Sequence, residues 1–88
     1  MTEPTNWTLD RDLFLQTRAR WISKVHPDTA TIRRLNDTAL DILNDPLHRG
    51  SPDPNIPDLY FARVLHTDIG ILFGLNSGRL LASILEIG

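Results

Sequence analysis

The stretch that most constrains this chain is Thr67 to Leu85, TDIGILFGLNSGRLLASIL, in which two apolar-periodic segments flank Gly74-Leu75-Asn76. Ile69, Leu72 and Phe73 share one face of a first helix, and Leu80, Leu81, Ile84 and Leu85 share one face of a second. Gly74 can take a positive φ without a Cβ clash, and Leu75 can fill the angle between two short helices. The spacing predicts a helix-turn-helix over residues 67–85, its helices crossing at roughly 90–120°.

The remainder reads as helices separated by strong breaks. Leu9, Leu13, Thr17, Trp21 and Val25 recur every four residues, with Phe14 and Ile22 widening the stripe, and Thr8 or Asp10 is placed to cap it. His26-Pro27 ends this helix, because a residue before proline is pushed out of the helical region. Asp28 or Thr29 starts a second helix, about 30 to 44, burying Ile32, Leu35, Ala39, Leu40 and Leu43. From Asn44 to Pro57, four prolines and one glycine in fourteen residues predict a loop, which Leu47 and Ile56 pin to the core. A third helix follows from Asp58, with Phe61 inward and Tyr60 nearer the surface, and breaks near His66. The expectation is an all-α bundle of about five helices. It forms one domain over residues 1–88, with a flexible tail at 1–7, a Pro-rich loop at 44–57 and the helix-turn-helix at 67–85.

Size and composition bound the function. A chain of 88 residues buries only about 60–65% of the surface its unfolded form exposes. Cysteine is absent, so neither disulfides nor thiolate metal sites supplement the core, and a reducing, cytoplasmic compartment fits. The amino terminus lacks a basic start and an apolar run, so no secretory signal is read. Asn76, Ser77 and Arg79 interrupt the apolar carboxy-terminal stretch, which excludes a membrane span. The net charge of −2 is modest, yet Arg18, Arg20, Lys24, Arg33 and Arg34 lie close in sequence with Asp28 as the only acid among them. With Arg63 and His66 they are candidate phosphate contacts.

Phe73, Gly74, Leu75, Asn76, Ser77, Gly78 and Arg79 resemble the turn of the helix-turn-helix in small bacterial and phage DNA-binding proteins. The resemblance covers residues 67–85. It implies a sequence-specific regulator of transcription that binds double-stranded DNA, with Ser77 to Leu85 as recognition helix. Asn76 and Ser77 would cap that helix and offer donors to phosphate, and Arg79 would point toward a base edge or phosphate. Thr67 and Ser83 complete the implied DNA-binding set. A homodimer, with α-helical seam residues Trp21 and Leu15, would place two such helices in successive major grooves.

The same residues support an alternative, a small helical protein-interaction module or inhibitor. Gly78 and Ala82 are small and four apart, and Ile71 falls outside the apolar stripe, so the three form a candidate partner interface. Catalysis is not expected. His26, His48 and His66 are spaced by 22 and 18 residues, which matches no metal-ligand pattern. Asp37 and Asp41 read as surface charge, and Ser51, Ser77 and Ser83 lack an identifiable base. No cofactor or metal is expected.

Overall fold

Residues 7–88 are described by the computed structural model, so all but Trp7 of the tail expected at 1–7 lies outside the described residues. Trp7 is half-buried against the core.

The two long helices form where their caps and stripes place them. Asp10 accepts a hydrogen bond from the Leu13 N–H at 3.3 Å and starts α1, Arg11–Val25. The helix stops at His26, whose φ of 52° lies in the left-handed region ahead of Pro27. Asp28 accepts from the Thr31 N–H at 2.8 Å and starts α2, Thr29–Asn44. Phe14, Thr17 and Trp21 form the buried face of α1, and Leu35, Thr38, Ala39 and Ile42 that of α2.

Past Asn44 the chain departs from an all-α bundle. Pro46 opens a single helical turn, α3 (Pro46–Arg49), where its missing N–H costs nothing. The rest is sheet: β1 (Thr8–Leu9), β2 (Ser51–Pro52), β3 (Leu59–Arg63), β4 (Gly70–Asn76) and β5 (Leu81–Ile87). Their spatial order is β1-β5-β4-β3-β2, with β1 parallel to β5 and every other pair antiparallel. The fold is α+β, with the helices on one face of the sheet.

Alternation explains why these segments are strands. Ala62 and Val64, then Ile71, Phe73 and Leu75, then Ala82 and Ile84 point to the helices and are buried. That period of two replaces the helical stripe. It puts Ile71, expected as an exposed partner contact, at 0% exposure, and leaves Leu85, expected on the apolar face of a second helix, 43% exposed. It also reverses Tyr60 and Phe61. Tyr60 turns inward and stacks on Phe73, with ring centroids 5.7 Å apart, whereas Phe61 faces out.

Gly74 makes no corner. Every glycine has a negative φ, and Gly74 lies mid-strand between Leu59 and Ser83. The reversal comes later, at Ser77–Leu80, where the Asn76 side chain accepts the Arg79 N–H at 3.2 Å and Leu80 takes a φ of 50°. The proline-rich stretch is likewise a compact turn. The Asp53 carboxylate accepts the N–H groups of Asn55 and Ile56 at 2.7 and 2.9 Å, and the Asp53 N–H closes onto the Leu59 carbonyl at 2.8 Å. Pro52 is tolerated because β2 is an edge strand. Leu47 and Ile56 are exposed, and Pro46 is the residue that anchors this region in the core.

Candidate docking face of the sheet

The helices cover one side of the sheet and leave the other open. Strand alternation sends Leu59, Phe61 and Arg63 of β3 to that open side, with Leu72 and Gly74 of β4 and Leu81 and Ser83 of β5. Register then builds rows across it: Leu59, Gly74 and Ser83 form one, and Phe61, Leu72 and Glu86 the next.

Two local devices shape this face. Leu72 pairs with Glu86 but Phe73 pairs with Ile84, so Leu85 is an extra residue in β5, a bulge that leaves both Leu85 and Glu86 exposed. Gly70 lacks the Cβ that would lie 2.5 Å from Cε2 of Phe61, so the Phe61 ring rests across bare backbone. Leu85 leans over Gly74 more loosely, its Cδ1 3.7 Å from where a Cβ would be, an ordinary contact distance. The result is a low, apolar surface built around Phe61, Leu72 and Leu85, with Arg63 and Glu86 as its charges. A shallow hollow of about 280 Å³ lies between Phe61, Gly70, Leu72 and Glu86. None of Phe61, Leu72, Leu85 or Glu86 was singled out as a site residue from the sequence. The readable signal was the inward set Ala62/Val64 and Ile71/Phe73/Leu75, whose alternation assigns the intervening residues to the opposite side.

The residues expected to contact DNA are not brought together. No recognition helix exists, because Ser77, Gly78 and Arg79 form the β4–β5 turn and Ser83 lies mid-strand on the open face. Asn76 is spent on that turn. Thr67 donates to the Val64 carbonyl at 2.8 Å and accepts from the Ile69 N–H at 3.1 Å, holding the β3–β4 connection in which His66 takes a φ of 62°. The cations are divided among surfaces. Arg18 bonds Asn36 at 2.9 Å and lies 5.4 Å from the Phe14 ring centroid. Arg20 and Lys24 border the end of β5, Arg33 and Arg34 stand on α2, and Arg63 is on the open sheet face.

The partner surface read from Ile71, Gly78 and Ala82 also dissolves. Ile71 and Ala82 are core residues of neighbouring strands, and Gly78 is alone in the turn. Trp21 is buried and cannot form a dimer seam, although Leu15 is exposed. Among the described residues no group of histidine and acidic side chains could hold a metal ion, and no helix is long and apolar enough to cross a membrane.

Comparison with known proteins places the architecture. Neither family models nor curated protein sequences match this chain. Its structure is similar to a chain of the RelBE2 toxin–antitoxin complex of Mycobacterium tuberculosis, with a TM-score of 0.65 and 17% identity over 93% of this chain and 95% of that one. It is also similar to a variant of the E. coli toxin RelE in its free state, with a TM-score of 0.61 and 11% identity over 93% of this chain and 79% of that one. Both likenesses span the helices and the sheet together and overturn the helix-turn-helix resemblance: the chain shares its mixed α+β fold with these two structures.

Proposed function

We propose that this chain is a toxin-like protein held in check by a protein partner that covers the open face of its sheet. One observation carries the reading: a fold shared with a free toxin and with a chain of a toxin–antitoxin complex leaves an apolar face uncovered by its own helices. Contiguous exposed apolar surface on a small protein marks an interaction site more often than chance, and an aromatic anchor at its centre is the usual source of binding energy. Phe61 supplies that anchor, with Leu72 and Leu85 beside it.

The matching partner is an amphipathic segment. Its apolar side meets Phe61, Leu72 and Leu85, with a carboxylate placed for Arg63 and a cation for Glu86. The alternative first drawn from the sequence, protein interaction, therefore stands on different residues.

Induced expression in a bacterial host tests the proposal. Growth should stop with the intact chain and continue with a frameshifted copy. The variant Phe61→Glu/Leu85→Glu changes two positions of the exposed face and is to be checked for native circular dichroism. It should lose at least tenfold in affinity for the partner that relieves the arrest. Normal growth despite abundant folded protein would overturn the toxin reading, and undiminished partner affinity in the variant would overturn the choice of face.

A further inference from the structure

We infer that the channel between α1 and the carboxy-terminal end of β5 binds an extended, acidic segment of the partner, adding a strand to the sheet at that edge. The inference rests on the partner reading above but uses a different surface.

The outer edge of β5 is only partly occupied. β1 pairs with it at Leu81 and Ala82, and their ladder ends where the Asp10 N–H meets the Ala82 carbonyl at 2.9 Å. The chain then leaves the sheet into α1. The next outward carbonyl, that of Ile84, is satisfied by a side chain: the buried Thr17 hydroxyl donates to it at 3.2 Å. Beyond that point no described strand lies along this outer edge of β5. The Gly88 N–H donates to the Gly70 carbonyl at 3.0 Å, and the Gly88 carbonyl accepts from the Gly70 N–H at 2.9 Å. In an antiparallel pair the preceding residue faces the other way, so Ile87 directs its N–H and carbonyl outward. An edge that presents such groups is a template for another strand.

The wall opposite is cationic. Thr17, Arg20, Trp21 and Lys24 stand at i, i+3, i+4 and i+7 on α1, and with Leu85, Glu86 and Ile87 they enclose about 290 Å³. Trp21 is the buried floor, and Arg20 and Lys24 are exposed with no acidic partner within 4.0 Å among the described residues. Four helical residues separate these two cations by about 6 Å along the axis. Alternate side chains of an extended segment are about 6.7 Å apart. A strand with carboxylates at every second position therefore matches both cations while its backbone reaches Ile87. Glu86 is the one opposing charge.

The test is an NMR titration of the full chain with a capped five-residue peptide of alternating glutamate and valine at low salt. The Ile87 amide should shift most, together with those of Leu85 and Glu86. Arg20→Glu/Lys24→Glu, at exposed positions and checked for native circular dichroism, should weaken binding at least tenfold, and Arg20→Gln/Lys24→Gln should weaken it less. A backbone N-methylated peptide of the same charge should fail to bind. Equal binding of the methylated peptide reduces the site to a plain anion patch, and equal binding of a lysine–valine peptide removes the charge match. Either result overturns the inference, as does a lack of shifts at Ile87. A chain that arrests growth but ignores the peptide rejects this inference alone. Peptide binding by a chain harmless to cells rejects the toxin reading alone.

Discussion

A methyl group added at Gly70 should have opposite effects on stability in the parent chain and in a Phe61→Ala variant. Gly70 has a negative φ, so alanine fits the backbone there and restricts the unfolded chain, a gain of about 0.4–1 kcal/mol. The new Cβ, however, would lie 2.5 and 2.6 Å from Cε2 and Cζ of Phe61, and the ring must swing off the sheet. Phe61 is 46% exposed, so about 100 Å² of a side chain that can bury 150–250 Å² is withdrawn from water. At about 25 cal/mol/Å² that contact is worth about 2.5 kcal/mol, an upper figure because the unfolded chain already covers part of it. Losing half of it costs about 1.2 kcal/mol, slightly more than the backbone gain. Gly70→Ala should therefore destabilise the parent by a few tenths of a kcal/mol and stabilise Phe61→Ala by about 0.4–1 kcal/mol. The coupling is about 1 kcal/mol. Urea denaturation of the four proteins measures it directly. A coupling below about 0.5 kcal/mol, the usual error of additivity, would refute the account of Phe61 resting on its own sheet.

Two further outcomes follow from local geometry. His66 is exposed with a φ of 62°, a conformation that costs a non-glycine residue roughly 1–2 kcal/mol. His66→Gly should raise the thermal midpoint by a few degrees and His66→Val should lower it; the reverse order in a melting experiment would discount the strain. The Asp28 carboxyl is held below its ordinary value of 3.8, first by the Thr31 hydroxyl and then by the Thr31 backbone N–H. Because the folded state depresses this pKa, its stabilising contribution is present above 3.8 and fades as pH falls through the lower folded value. Thr31→Ala should move the Asp28 midpoint upward in a carboxyl NMR titration, and an unmoved midpoint would assign the shift elsewhere.

The amino-terminal half was legible because its signals are local. Asp10 and Asp28 cap the helices they precede, and His26-Pro27 separates them. The carboxy-terminal half was not, because β4 is apolar on both faces. Ile71, Leu72 and Phe73 run consecutively, so the triplet satisfies a helical stripe as readily as a strand. The decisive hints were Gly70 and Gly74, both poor in a helix interior; Phe61 lies across Gly70, and Leu85 makes an ordinary contact over Gly74. Those partners come from other strands, and a linear reading cannot see them. The open face was hidden for the same reason: it is defined by the register of three strands, and the bulge at Leu85 shifts Glu86 into it.

β5 links the two proposed contacts. Its inner side chains, Ala82, Ile84 and Ile87, complete the core beneath α1, its bulge places Leu85 on the open face, and its outer edge ends in the channel beside Arg20 and Lys24. A partner spanning both surfaces would clamp the last strand from its face and its edge together. The thermodynamic consequence is large for so small a protein. A ligand that binds only the folded state at a hundred times its dissociation constant adds about 2.7 kcal/mol, against a total stability on the order of 5–15 kcal/mol for proteins in general. Partner availability would then govern both whether the open face is free to act and how long the chain survives. On the proposed reading, the exposed leucines and the outer edge of β5 are what a surface covered by another protein should retain.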